Sequence, residues 1–250
     1  MSIARPSVAS LFLQMFYEDK FLGTATGFIV ERNGSYYLIS NYHVLAGRNP
    51  KTGQSIDPTG AWPNRVGVIQ NVAGSLGCWH LVFEVVRDDN GPLWLEHPTH
   101  GRTVDVVALE LNHTRGVEFY PYGLEDSTDI RIGVSQQVSI IGFPFGKTGG
   151  GVFGIWVQGT IATEPDIMYD ELPCFLIDSR TREGLSGSPV IFFSQGGVVP
   201  KYSGTALYSG PVEVFLGVYS GRINEQSDLG YVWRRSAISE IIDAQVRGVD

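Results

Sequence analysis

The chain has 250 residues, and its 18 lysines and arginines stand against 26 aspartates and glutamates, a net charge of −8 at neutral pH. No basic stripe is present, which argues against a nucleic-acid partner, because phosphate binding needs clustered cations. The longest apolar runs fall well short of the roughly 18 residues that cross a bilayer, so no membrane partner is expected either.

A chain of this length buries a sizeable core in one or two domains. Its 31 glycines, 13 prolines and 12% aromatic residues suit many short strands joined by tight turns. Arg5 followed by the apolar residues 8–13 faintly imitates a secretion signal, but Gln14 and then Glu18-Asp19-Lys20 break it and no Ala-x-Ala cleavage site follows. A cytoplasmic location is therefore expected, with Cys78 and Cys174 reduced, although a single disulfide between them stays open. Apolar alternation predicts strands over 11–17, 24–30, 36–45, 80–86, 138–145, 175–178, 189–193 and 214–219. Asp88-Asp89-Asn90-Gly91 reads as a solvated hairpin turn, and Asp105 opens a further strand over 105–111. The one helix is expected over 236–246, with Ile238, Ile241, Ile242 and Ala244 on its apolar side behind a Ser236 cap.

The run Gly184-Leu185-Ser186-Gly187-Ser188-Pro189 carries the chemistry. Glycines on either side of one serine permit a turn with positive φ that exposes a hydroxyl beside free backbone N–H groups, and such groups stabilise the oxyanion of acyl transfer. A serine hydroxyl is a poor nucleophile until a base takes its proton and a third group orients that base. His43, at the end of the apolar run that follows the Arg32-Asn33-Gly34 turn, and Asp105 are the candidates for those roles. Other readings are weaker. His97-Pro98-Thr99-His100, with Cys78 upstream, lacks a second ligand pair at zinc spacing, so no metal or cofactor is expected. Gly142 to Thr148 is one residue short of a phosphate loop and is followed by strand-like residues rather than a helix. An esterase elbow would put its histidine last in the chain, whereas here it comes first.

In the order His43, Asp105, Ser186, and with their flanks, the chain resembles the chymotrypsin-like (trypsin-fold) serine peptidases, and most of all their bacterial branch. Gly23-Thr24-Ala25-Thr26-Gly27-Phe28 is similar to the strand ahead of that family's histidine. Asn41-Tyr42-His43-Val44 and Asp105-Val106-Val107-Ala108-Leu109 resemble the histidine and aspartate motifs of HtrA-type members. Gly142-Phe143-Pro144 is like the segment that begins the second barrel, Asp178 stands eight residues before Ser186 as in HtrA-type sequences, and Gly217-Val218-Tyr219-Ser220-Gly221 resembles the strand that runs along bound substrate. The resemblance implies an all-β fold of two six-stranded antiparallel barrels with a C-terminal helix. Residues 1–120 would carry His43 and Asp105, and residues 121–250 would carry Ser186. It further implies a serine endopeptidase: Ser186 the nucleophile, His43 the general base, Asp105 its orienting carboxylate, and the N–H groups of Gly184 and Ser186 the oxyanion hole.

By the same resemblance Arg180, Thr181, Tyr219, Ser220 and Arg222 lie at the substrate. Thr181 with the serine turn looks like glutamyl endopeptidases, and Arg180, Arg182 and Arg222 could neutralise an acidic residue before the scissile bond; a Tyr219 wall instead suits a small apolar one. Both readings stay open. Leu185 occupies the place of the aspartate that receives a newly cut N-terminus in pancreatic relatives, so that mode of activation is not expected. No PDZ-like tail is expected after the helix. The partners expected are a protein or peptide substrate and a regulatory protein. The alternative to an active enzyme is a catalytically silent or latent binding module of the same fold, woken by such a partner.

Overall fold

Two antiparallel sheets, one built from each half of the chain, account for most of the computed structural model, which describes residues 3–125, 129–224 and 226–249. The first contains β1 (Ser10–Tyr17), β2 (Lys20–Arg32), β3 (Ser35–Ser40), β4 (Arg65–Val72), β5 (Trp79–Val85) and β6 (Val107–Glu110). Their spatial order is β5-β4-β1-β2-β3-β6, with the two-residue strand Val117–Glu118 paired to β4. Among the described residues no ladder joins the edges β5 and β6, so this sheet is not closed by ladders as the barrel expected from residues 1–120 would be; the intervening segment makes only local contacts. Leu93 N–H donates to the Val86 carbonyl at 3.0 Å, and Leu95 exchanges bonds of 2.8 and 3.2 Å with Ala108 of β6. Between them, Asp88 pairs with Gly91 across the expected hairpin turn.

The second half forms a closed barrel from β7 (Gln137–Gly142), β8 (Ile155–Ile161), β9 (Cys174–Asp178) and β10 (Pro189–Ser194), completed after a projecting hairpin of β11 (Gly197–Lys201) and β12 (Gly204–Tyr208) by β13 (Val212–Arg222) and β14 (Leu229–Arg234). Among the described residues the α-helices are α1 (Arg5–Ala9), α2 (Tyr42–Ala46) and the C-terminal α3 (Arg235–Ala244). The fold is thus all-β with a terminal helix, and no helix among the described residues is long and apolar enough to cross a membrane.

Four local differences have physical causes. The run expected as a strand over 36–45 ends at Ser40, because Tyr42, Leu45 and Ala46 place three buried side chains at helical spacing and Gly47 closes the turn in the left-handed region, φ 63°. Residues 5–9, where no element was expected, form a helical turn, with Pro6 in its first turn, where a missing N–H costs nothing. Helix α3 starts one residue earlier than expected, with Arg234 at the cap position and no side-chain cap, so Ser236 lies inside it. Strands β4 and β14 escape an alternation search: β4 buries Gln70 and Asn71 among its valines, and β14 carries Gly230, where a Cβ would sit 2.5 Å from the Tyr219 ring.

Each sheet encloses an apolar core, Leu13, Ile29, Leu38 and Val68 in the first and Ile140, Phe175, Val190 and Val232 in the second. A third cluster welds the halves together and receives Ile238, Ile241 and Ile242 of α3. At its centre Phe28 packs edge-on to Tyr122 and Phe215 with ring centroids 5.4 and 5.3 Å away, and Tyr122 stacks on Phe215 at 4.9 Å. Each such pair contributes about 0.5–1.5 kcal/mol beyond its buried area. Outside this core, Arg32 of β2 grips Asp243 of α3 with two bonds of 2.9 and 2.7 Å. Cys78 is exposed, Cys174 is buried, and both are free thiols. Burial pushes the Cys174 thiol up to about 12.

Candidate active site

Strand β3 runs into Asn41, whose buried Nδ2 donates to the Asp105 carbonyl at 2.7 Å and ties the start of α2 to the segment that leads into β6. That tie puts the Asp105 carboxylate under the first turn of α2. Its Oδ1 accepts from the His43 backbone N–H at 3.0 Å, and its Oδ2 lies 2.7 Å from His43 Nδ1. Both carboxylate oxygens are therefore committed to one residue, and the imidazole is held with Nε2 left for other work. Burial by itself disfavours the imidazolium, but the charge of Asp105 and its hydrogen bond outweigh burial and raise the His43 pKa above its ordinary value.

Ser186 lies across the same cleft, in a turn set between the two sheets, and His43, Gly184 and Ser186 line one cavity of about 350 Å³. The carbonyls from Glu183 to Ser186 are all engaged. Glu183 O accepts from Phe145 N–H at 2.7 Å, Gly184 O from Thr26 Oγ1 at 2.8 Å, Leu185 O from Ser188 N–H at 3.0 Å, and Ser186 O from Thr26 N–H at 3.0 Å. The N–H groups of Gly184 and Ser186, by contrast, donate to no protein acceptor among the described residues. Glycine is required here. Gly184 has φ 90°, and a Cβ on it would lie 2.3 Å from the Phe143 carbonyl oxygen; Gly187 has φ 82°, and a Cβ there would lie 2.1 Å from the Thr26 carbonyl oxygen. Chemically, one cavity brings together a serine hydroxyl, two uncommitted backbone donors and an imidazole backed by a carboxylate.

Thr26 is the functional residue that sequence reasoning noted only as part of a motif. Its hydroxyl donates to Gly184 O and accepts from Phe143 N–H at 3.2 Å, its own N–H holds Ser186 O, and its carbonyl accepts from Ser40 Oγ at 2.9 Å. One buried side chain of the first sheet therefore fixes the turn that belongs to the second. In sequence Thr26 is one position of an alternating strand over 24–30, and only the fold brings it to the serine turn.

The residues expected at the substrate are dispersed. Thr181 and Tyr219 are almost fully buried and joined through their hydroxyls, and burial raises the Tyr219 phenol to about 12. Ser220 accepts from Trp233 Nε1 at 2.9 Å. Arg180 is exposed, with Nε 3.9 Å from Asp228 Oδ2; Arg182 donates to the Thr181 carbonyl at 2.8 Å, and Arg222 is exposed at the end of β13. The arginines therefore stand on the surface around Thr181 and Tyr219. His97, distant from these groups in sequence, accepts from the N–H groups of Thr99 and His100 through Nδ1 at 3.3 and 3.2 Å, and its Nε2 lies 3.0 Å from Glu240 Oε2. It organises a turn against α3.

A family model described as a trypsin-like peptidase domain matches residues 25–199, more than half of the chain. No curated protein matches it in sequence. Among solved structures, the active form of the Rv3671c protease from M. tuberculosis aligns with a TM-score of 0.50 and 18% identity, over 98% of this chain and 83% of that one. The inactive form of a serine-to-alanine mutant of the same protein gives 0.50 and 18% over 96% and 86%. The serine endoprotease of Yersinia pestis aligns at 0.53 with 13% identity, over 97% of this chain and 64% of that one. At these identities the likeness is one of fold.

Proposed function

The chain belongs to the trypsin-like peptidase domain family, and from that premise we propose that it is an active serine endopeptidase in which Ser186, His43 and Asp105 form the catalytic triad. The observation that carries the reading is the serine turn, in which the carbonyls from Glu183 to Ser186 are anchored while the two N–H groups that an oxyanion needs meet no acceptor among the described residues. A silent module of the same fold has no cause to keep two donors of a tight turn uncommitted beside a hydroxyl and an oriented imidazole.

The steps follow the general template. His43 Nε2 takes the proton from Ser186 Oγ as the oxygen bonds to the scissile carbonyl carbon, and the carbonyl oxygen becomes an oxyanion facing the N–H groups of Gly184 and Ser186. His43 then gives its proton to the departing amine, the C–N bond breaks, and an acyl ester remains on Ser186. Water, deprotonated by His43, attacks that ester, and the proton returns to Ser186 Oγ as the acid leaves. Asp105 stays ionised, holding the tautomer and balancing the imidazolium.

Digestion of an unstructured protein such as casein tests this reading. Wild-type chain yields peptide fragments, whereas Ser186→Ala, with an unchanged melting temperature, yields none. Equal digestion by both would assign the hydrolysis to something other than this serine.

A further inference from the structure

The space on one side of Ser186 is filled and the space on the other is open. Tyr219 rises from β13 into the barrel interior, where it is 2% exposed, bonds Thr181, and covers Gly230 so closely that a Cβ there would meet Cε2 at 2.5 Å. Neither Thr181 nor Tyr219 contributes to the cavity that contains Ser186. That cavity lies instead on the His43 side, between β2, α2 and the loop 56–63, and its walls include Leu22, Ala25, Val44, Ile56, Pro58 and Pro63. Its volume of about 350 Å³ lies in the ordinary range of ligand pockets, roughly 300–1,000 Å³.

The reaction fixes which part of a substrate meets which side. His43 hands its proton to the leaving nitrogen, so the leaving half of the peptide passes over His43, and the side chain next to that nitrogen is the one within reach of these walls. The lining is apolar apart from Thr24, His43, Asp57, Glu183 and Ser186; Asp57 is paired with Lys20 at 3.3 Å, no lysine or arginine lines the cavity, and the Glu183 carboxylate disfavours an acidic side chain. Resting on the peptidase reading above, we infer that this enzyme selects its cleavage sites by an apolar residue immediately after the scissile bond, seated between Ile56, Pro63 and Val44, while only a small residue is accepted before it. Selection thus shifts from the acyl half of the substrate to the leaving half.

Acyl transfer separates this inference from the reading it rests on. The p-nitrophenyl ester of N-acetylalanine acylates Ser186 with one and the same leaving group whichever amide is present, and once p-nitrophenol has departed the acyl-enzyme divides between water and an added amino-acid amide, which enters from the vacated leaving side, forms a new amide bond and frees the serine. The expected result is capture by leucine amide on the order of tenfold to a hundredfold better than by aspartate amide, the discrimination that burial of one apolar side chain supplies. Among esters, N-acetylalanine is expected to acylate faster than N-acetylphenylalanine. In Ile56→Lys the ratio of leucine to aspartate capture falls severalfold, a readout independent of how much protein is active. Ester hydrolysis with no preference among the amides overturns the inference and leaves the peptidase reading standing. No p-nitrophenol release above Ser186→Ala overturns both.

Discussion

Replacing Gly184 with alanine acts on the serine turn through two separable terms. The first is backbone strain at φ 90°, worth about 1–3 kcal/mol for a residue with a Cβ. The second is steric, because the new Cβ falls 2.3 Å from the Phe143 carbonyl oxygen and 3.1 Å from the Phe145 nitrogen, so the peptide on one side of the oxyanion donors must move. Gly34 isolates the first term, since it has φ 81° in a hairpin turn with nothing within 4 Å of its ideal Cβ. Both alanine variants should therefore melt lower, by about 2–4 °C per kcal/mol in a chain of this size, with Gly184→Ala the lower. Only Gly184→Ala should lose activity, by about a hundred- to a thousandfold in kcat, the cost of one displaced oxyanion donor. Thermal melts combined with kcat on a peptide ester decide it. A Gly184→Ala enzyme within threefold of wild type would refute the assignment of this turn as the oxyanion hole.

Further expectations concern the base, the anchor and the helix. Because Asp105 holds the His43 pKa above its ordinary value of 6.5 and the base must be neutral, kcat/KM should rise with pH through a midpoint above 6.5. In Asp105→Asn the imidazole stays buried without the charge beside it, so the midpoint should move to lower pH and kcat should fall by about four orders of magnitude; an unmoved midpoint in a pH–rate profile would contradict the pairing. Thr26→Val strips two buried bonds from the serine turn and leaves Gly184 O and Phe143 N–H without that partner. It should cost about 1–3 kcal/mol per orphaned group and lower kcat, with both restored in Thr26→Ser; equal rates and melts for the two variants would remove Thr26 from its positioning role. Ile238→Ala opens a cavity where α3 meets both halves and should cost about 2–5 kcal/mol in denaturant melts. By contrast Arg32→Gln, at a largely solvent-facing pair with Asp243, should cost no more than about 1 kcal/mol, and a larger loss would show that α3 is held by charge rather than by its isoleucines.

The sequence was most legible where chemistry demands particular residue types. A serine between glycines, a histidine after a strand and an aspartate before one are local signals, and the structure sets His43 against Asp105 and brings Ser186 to the same cleft. The first sheet was legible in kind, since alternation marks β1 to β3, but the contacts at its edges were not, because a bridge such as Leu95 to Ala108 leaves no periodic trace. Strands β4 and β14 were missed because a buried Gln70 and a glycine under Tyr219 interrupt the pattern for reasons that exist only in three dimensions. The same is true of Thr26, whose partners lie 158 and 117 residues away. The arginines near Thr181 allowed a pocket for an acidic residue in sequence, whereas the structure leaves Arg180 exposed beside Asp228 and buries Tyr219 against Thr181.

The central claim, an activated serine in an assembled site, is tested most directly by intact mass after incubation with a fluorophosphonate, because phosphonylation requires the nucleophile, its base and the oxyanion donors but no particular peptide. The account predicts one adduct on the wild-type chain, located at Ser186, and none on Ser186→Ala or His43→Ala. A folded wild-type chain that stays unmodified, or an adduct that persists in Ser186→Ala, would contradict it.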